Sequence, residues 1–220
     1  MVVDRRDSEG NVAMEKAMFD TFKEGTDALE RAGVPYVVGG GVAVWAYGRR
    51  RLTKDIDLFV KPEDAASALD ALSEAGFRTE MTDPIWLYKA FKRDVMVDII
   101  FRSKADIYLD DEALRRGEMR PIDGHAFLFM SPEDLMIRKV FAMSEERRDW
   151  YDAISIMDGL DGKIDWQYLV KRAERDPGRV LSFLLYTESE YPRDRALIPF
   201  SIVKQLAEIV LDRGALPQAA

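Results

Sequence analysis

The feature that most constrains the fold is a glycine-rich turn between two apolar segments, followed closely by a strand pattern that carries two aspartates. Tyr36-Val37-Val38 is typical of a short buried strand, and Gly39-Gly40-Gly41 follows it directly. The apolar run Val42–Tyr47 suits a short helix packed on a sheet. The segment Asp55–Val60 then alternates polar and apolar residues, which predicts a second strand. This succession predicts an α/β fold.

The rest of the chain divides into an α/β part, residues 1–130, and a helical part, residues 131–220. The first part has helical spacing over about residues 12–32 and after Pro62, and strand patterns over about residues 77–81, 85–91 and 95–101. In the second part, Ser131-Pro132 is typical of a helix start, and further helices fit residues 145–160, 166–175, 179–188 and 198–211. We therefore expect an α/β (α+β) domain with a mixed sheet, followed by a C-terminal helical domain.

Composition excludes several classes of protein. The 220 residues include no cysteine and one histidine, His125, which excludes a disulfide scaffold, a thiolate metal site and a site built on two histidines. The formal net charge of -8 disfavours a sequence-independent nucleic-acid clamp, because such a clamp needs a basic face. No apolar stretch approaches the length of a membrane span, so we expect no membrane partner and a cytoplasmic protein.

Two carboxylates leave the same face of the predicted strand 55–60. Asp55 and Asp57 are two residues apart, so their backbones lie roughly 7 Å apart. Like charges side by side are costly unless a cation lies between them, and Mg²⁺ prefers hard carboxylate oxygens together with substrate phosphates. Asp98 alternates with the apolar face of its own strand. It could reach the same ions if that strand neighbours residues 55–60.

Glycines and basic residues surround the two aspartates in the sequence. Gly40 and Gly41, at a strand-to-helix turn, let the backbone approach an anion closely. Arg49-Arg50-Arg51 and Lys54 form a basic cluster inside an acidic chain. A solvated corner explains Arg49 and Arg50 more simply, whereas Arg51 is a candidate for phosphate binding or for a structural role. Three carboxylates, a glycine turn and nearby arginines are typical of a two-metal phosphoryl-transfer site.

These motifs resemble the nucleotidyltransferase superfamily, with its polymerase-beta-like fold. The branch concerned has Gly-Gly, a small apolar helix, Gly, and Arg-x-Thr-x-Asp-hydrophobic-Asp, and the abortive-infection type IV toxin-like and minimal nucleotidyltransferase groups are the most similar. Ser131–Lys139 resembles the Ser-x-x-Asp-Leu…Lys helix of the superfamily, and Arg148–Asp152 its basic-Asp-x-x-Asp helix. The residues in register with the first motif are Gly40, Gly41, Ala43, Gly48, Arg51, Thr53, Asp55 and Asp57.

The resemblance implies an enzyme of the nucleotidyltransferase class. It would transfer a nucleoside monophosphate from an NTP to an acceptor hydroxyl and release pyrophosphate, with two Mg²⁺ ions as cofactors. The acceptor could be an RNA 3′ end, a protein or a small molecule, and a toxin–antitoxin role with a cognate antitoxin stays open. The residues that would be catalytic and hold metal are Asp55, Asp57 and Asp98, and those that would bind nucleotide are Gly40, Gly41, Arg51, Thr53, Lys139 and Asp149.

Several simpler interpretations compete with these assignments. Asp55 and Asp57 alone could be solvated acids on a strand, Asp98 an exposed strand residue and Lys139 a lysine facing water. Many superfamily members have Ser where this chain has Gly41, so only its backbone could contact a triphosphate. The alternative function is a non-catalytic nucleotide-binding or partner-binding module on the same fold. The presence of all three carboxylates favours the enzyme.

Overall fold

The computed structural model describes residues 14–144, 150–190 and 197–215. The chain divides into two compact units, residues 1–131 and 132–220. The first unit contains the helices α1 (Lys16–Arg31), α2 (Gly40–Tyr47), α3 (Ala65–Glu74) and α4 (Asp111–Arg115), and the strands β1 (Tyr36–Val38), β2 (Asp55–Val60), β3 (Arg78–Asp83), β4 (Leu87–Lys92), β5 (Val95–Ile100), β6 (Glu118–Ile122) and β7 (His125–Phe129). The second contains α5 (Pro132–Ala142), α6 (Trp150–Gly159), α7 (Trp166–Arg172), α8 (Pro177–Glu190) and α9 (Phe200–Ala215).

The strands of the first unit form one seven-stranded sheet in the order β3-β4-β5-β2-β1-β7-β6. Two neighbouring pairs are parallel, β2 with β5 and β1 with β7, and the other pairs are antiparallel. The sheet is therefore mixed, and the expectation of an α/β domain followed by helices is confirmed. The strand that carries Asp98 lies directly beside the strand that carries Asp55 and Asp57.

The alternation in β2 and β5 separates a wholly apolar face of the sheet from a face that carries the aspartates together with Phe59, Met96 and Ile100. Ile56, Leu58, Val97 and Ile99 are all buried, since each is at most 1% exposed. Helix α1 contacts β5, and helix α3 contacts β3, β4 and β5. The aspartates of β2 and β5 occupy the alternate positions and therefore lie on the opposite face of the sheet.

The hairpin β6–β7 is missing from the sequence-based prediction. Its turn residues, Asp123 and Gly124, have φ angles of 47° and 84°, the left-handed values that a two-residue Asp-Gly turn requires. Polar and apolar residues alternate only weakly on either side of this turn, so the sequence gives little sign of the hairpin. Pro121 interrupts β6, and β7 begins at His125. The ring of Phe127 stacks on Phe22 of α1 at a centroid distance of 3.9 Å, so β7 belongs to the core.

The second unit is built from helices and buried polar pairs. Helix α5 begins at Pro132, as predicted. Asp134 is 1% exposed, and it accepts hydrogen bonds from the Tyr168 hydroxyl and Arg172 Nε, both at 2.7 Å. The predicted helix 145–160 is described from Trp150 to Gly159, and its first five residues lie outside the described part of the chain. Among the described residues, no helix is both long enough and apolar enough to cross a membrane.

Candidate active site

Strand register brings two of the predicted catalytic carboxylates together. Asp57 of β2 is paired with Asp98 of β5 in the parallel ladder, so their backbones are about 4.8 Å apart and both side chains leave the same face. Asp55 lies two residues before Asp57 on that face and is paired with Met96. The condition set by the sequence, that the two strands be neighbours, is therefore met.

The glycine turn packs directly against β2. Gly40 has a φ of +59°, and a Cβ atom there would lie 1.6 Å from Asp57 Oδ2. A Cβ at Gly39 would lie 2.2 Å from the ring of Phe59, and Gly39 N donates a hydrogen bond to the Asp57 carbonyl at 2.9 Å. The absence of side chains at this turn is therefore what allows the Asp57 carboxylate to lie against the start of α2.

Hydrogen bonds hold both ends of the segment between α2 and β2 in place. The Trp45 indole Nε1 donates to the Arg51 carbonyl at 2.7 Å, and Arg51 Nη1 donates to the Leu52 carbonyl at 2.9 Å. The Thr53 hydroxyl donates to Asp55 Oδ1 at 3.0 Å. A Cβ at Gly41 would lie 2.5 Å from Thr53 Oγ1 and 3.4 Å from Arg51 Nη2. Gly41, Arg51 and Thr53 are therefore neighbours beside Asp55.

Lys89 of β4 is a site residue that the sequence reasoning missed. It is paired with Asp98 in the antiparallel β4–β5 ladder, and its Nζ lies 2.7 Å from Asp98 Oδ1 and 3.0 Å from Met96 Sδ. Burial raises the pKa of the Asp98 carboxyl above its ordinary value, the Lys89 ammonium opposes this rise, and the charge of Asp55 adds to it. The two-residue turn Arg93-Asp94 fixes the register that pairs Lys89 with Asp98.

The donor set at this face fits Mg²⁺ in its chemistry. Asp55, Asp57 and Asp98 supply only carboxylate oxygens, which hard cations prefer, and the lack of a side chain at Gly40 lets the Asp57 carboxylate lie at the start of α2. Within residues 14–144, 150–190 and 197–215, however, no group of three or more acidic or histidine side chains is close enough together to hold a metal ion. The Asp98 carboxylate is held by Lys89 in this arrangement.

The remaining predicted residues belong to the second unit. Lys139 of α5 is 5% exposed, and its Nζ donates to Asp152 Oδ2 of α6 at 2.7 Å. Lys139 is therefore buried in an ion pair and does not face water. Asp149 lies outside the described residues. The roles of Lys139 and Asp149 toward a nucleotide stay predictions.

Comparison with known protein families identifies the family to which this chain belongs. The model of the family described as "Nucleotidyl transferase of unknown function (DUF2204)" matches residues 18–186, which include every predicted site residue. The chain belongs to this nucleotidyltransferase family. The match confirms the superfamily to which the sequence motifs pointed. No curated protein matches the chain.

Solved structures place this member of the nucleotidyltransferase family in a known fold. The solution structure of the antibiotic-resistance factor ANT(2'')-Ia superposes with a TM-score of 0.55 at 16% identity, over 81% of this chain and 100% of the other. The crystal structure of ANT(2'')-Ia in complex with adenylyl-2''-tobramycin gives a TM-score of 0.51 at 20% identity, over 70% of this chain and 93% of the other. At these identities the similarity shows the nucleotidyltransferase fold.

Proposed function

We propose that the protein is a Mg²⁺-dependent enzyme that transfers a nucleoside monophosphate from an NTP to an acceptor hydroxyl, with release of pyrophosphate. The observation that carries the proposal is the pairing of Asp57 with Asp98 across parallel strands, beside a glycine turn packed on Asp57. A two-metal nucleotidyl-transfer site needs carboxylates on one surface and a backbone that an anion can approach. Family membership supports the same reaction class.

The three carboxylates would hold the metal. Mg²⁺ bound to Asp55, Asp57 and Asp98 would neutralise the phosphate charge and lower the pKa of the attacking hydroxyl. Thr53 orients Asp55 through the hydrogen bond from its hydroxyl, which leaves Asp55 Oδ2 for a ligand. Gly40 and Gly41 open helix α2, and the first N–H groups of a helix have no partners within the helix, so they are suited to bind phosphate.

The proton of the acceptor hydroxyl would go to Asp98. In the metal-free arrangement its oxygen Oδ1 accepts from Lys89. With a cation at Oδ1 in place of Lys89, Oδ2 is the atom that would take the proton. Burial raises the pKa of the Asp98 carboxyl in the metal-free protein, and a positioned carboxylate is a suitable general base. The acceptor oxygen would then form its bond to the α-phosphorus while the bond to the pyrophosphate oxygen breaks.

Labelling with each of the four [α-³²P]NTPs, Mg²⁺ and cell extract tests the reaction and finds the acceptor. We expect label from at least one NTP on RNA, on a protein or on a small molecule, three classes that electrophoresis and thin-layer chromatography separate. We expect the variant D57N to lose the label. The matched control D70N makes the same change at an exposed position of α3 and should keep it.

Two other outcomes would contradict the proposal. Stabilisation by Mg²⁺-NTP in thermal unfolding, without label on any acceptor, would favour the non-catalytic nucleotide-binding module. Label transfer by D57N at the rate of the wild type would show that the transfer site lies elsewhere. If the label falls on RNA or protein, co-expression with neighbouring genes tests a toxin–antitoxin role, since an antitoxin would restore growth.

A further inference from the structure

We propose that Lys89 is a positioning residue that occupies Asp98 in the metal-free protein and is displaced when a divalent cation binds. The inference rests on the proposed function, because it concerns the cation that the three carboxylates would hold. It begins from a row of charges across the sheet. Register pairs Glu80 of β3 with Lys89, Lys89 with Asp98, and Asp98 with Asp57.

The row contains one pair of like charges, Asp57 beside Asp98. Adjacent carboxylates destabilise a sheet unless a cation lies near them. The Lys89 ammonium supplies that charge from the other side of Asp98, at 2.7 Å from Oδ1. The two side chains are 20% and 13% exposed, so water screens this ion pair only in part. Lys89 therefore stabilises the metal-free sheet.

The same contact occupies one oxygen of the Asp98 carboxylate, Oδ1. Among the described residues no three acidic side chains are grouped closely enough for a metal, although the backbones of Asp57 and Asp98 are direct neighbours. The side chain of Asp98 points toward Lys89 of β4, whereas the side chain of Asp57, on β2, lies against Gly40. A cation shared by Asp57 and Asp98 that binds Asp98 through Oδ1 must therefore exchange with the ammonium group.

After the exchange, the Lys89 ammonium group has two neighbouring groups that can accept a hydrogen bond from it, Glu80 and Met96. Glu80 is the register partner of Lys89 on β3, and it is exposed. Met96 Sδ lies 3.0 Å from Lys89 Nζ, but a thioether is only a weak acceptor. We therefore infer that Lys89 turns toward Glu80 when the cation takes Asp98.

Binding of Mn²⁺, followed by electron paramagnetic resonance at pH 8, tests the proposal without any turnover. We expect the variant K89M to bind Mn²⁺ about tenfold more tightly than the wild type, because the charge-assisted hydrogen bond that the cation must break is gone. The variant K89R keeps the positive charge and should stay close to the wild type. The control K104M removes one positive charge from an exposed site beyond the end of β5, and its affinity should also stay close to the wild type.

A second measurement separates exchange from a general effect of charge. In the background D98N, the change from Lys89 to Met should no longer tighten the Mn²⁺ binding that Asp55 and Asp57 retain, since the charged pair of Lys89 with residue 98 has already been removed. In thermal unfolding with EDTA we expect K89M to melt below the wild type, and added Mg²⁺ to raise its melting temperature by more than it raises that of the wild type.

The outcomes distinguish the two proposals. If Mn²⁺ binds the wild type, D57N abolishes the binding, and K89M binds equally or more weakly, the exchange proposal is wrong while the metal site stands. If Mn²⁺ binds the wild type no better than D57N, the proposed function fails in its metal requirement. If K104M tightens binding as much as K89M, net charge and not the contact is responsible, and Lys89 is not a positioning residue.

Discussion

At the scale of single residues, the site depends on atoms that are absent as much as on those that are present. Gly40 combines a left-handed φ of +59° with a position where a Cβ would overlap Asp57 Oδ2. The sequence motif identified Gly40 and Gly41 as candidates for phosphate binding. It could not show that Gly40 also makes room for the Asp57 carboxylate, because three consecutive glycines permit many turn conformations.

The substitution G40A tests this second role of Gly40. We expect nucleotidyl transfer to fall by about two orders of magnitude or more, because displacing a reacting group by 1 Å already costs about that much. The matched control is G33A, since Gly33 has a φ of +67° but no atom within 4 Å of its Cβ position. Both variants lose about 1 kcal/mol in the free energy of unfolding from the left-handed backbone. Equal losses of transfer in the two variants would show that strain alone, and not the contact with Asp57, is responsible.

At the scale of elements, turn chemistry decides how much of the site could be read from the sequence. The segment 85–101 was predicted as two strands joined at Lys92-Arg93-Asp94, and the structure has β4 and β5 with Arg93 and Asp94 at φ 52° and 60°. A two-residue turn fixes the register of its hairpin. Counting outward from it pairs residue 92 with 95 and therefore Lys89 with Asp98. This site residue could thus have been predicted.

Other elements carry no comparable local signal. The parallel pairing of β2 with β5, which brings Asp57 to Asp98, joins segments about 40 residues apart in the sequence. No short-range rule gives the register of this pairing. From the sequence it could only be said that Asp98 reaches the other two aspartates if the two strands are neighbours. The ion pair of Lys139 with Asp152 likewise depends on how α5 packs on α6. The sequence motif contains both Asp149 and Asp152, and spacing alone does not identify the partner of Lys139.

The same β4–β5 turn is joined to α1 by an ion pair that depends on pH. Hydrogen bonds from Arg93 at 2.5 Å and Lys92 at 2.7 Å lower the pKa of Glu24 to about 2. A lowered pKa stabilises the fold above the ordinary pKa of 4.5, and this contribution is lost as the pH falls toward about 2. We expect E24Q to lower the free energy of unfolding at pH 7 by at most about 1 kcal/mol, because these groups are partly exposed and solvent screens their charges.

Urea unfolding of the wild type and E24Q at pH 7, 4.5 and 3 measures this contribution. The difference between the two proteins should be largest at pH 7, smaller at pH 3, and reduced at pH 7 by 1 M NaCl. The exposed pair of Lys16 with Asp20 within α1 provides the control D20N, for which we expect little change at any pH. A difference between wild type and E24Q that is the same at all three pH values would show that Glu24 acts through packing.

At the scale of the whole molecule, the net charge of -8 conceals a local balance of charges. Buried or nearly buried carboxylates in both units have a cation within hydrogen-bond distance, namely Asp98 with Lys89, Asp152 with Lys139 and Asp134 with Arg172. The total disfavours a broad nucleic-acid surface, but it says nothing about which carboxylates are available to a metal. Asp55 and Asp57 lie on strand β2, whereas Asp134 and Asp152 form ion pairs between helices of the second unit.

The ion pair of Lys139 with Asp152 can be tested for a role in stabilising the helical unit as opposed to binding nucleotide. Its two side chains are 6% and 8% exposed, and breaking a buried ion pair by removing one partner is strongly destabilising. We expect K139M and D152N each to lower the free energy of unfolding by about 3–5 kcal/mol in urea, and the double variant K139M/D152N to lose less than the sum of the two. Replacing Lys139 by Arg should recover part of the loss. If K139M instead retains full stability but raises the KM for NTP, Lys139 serves the nucleotide in the way the superfamily motif implies, and its pairing with Asp152 is a resting arrangement.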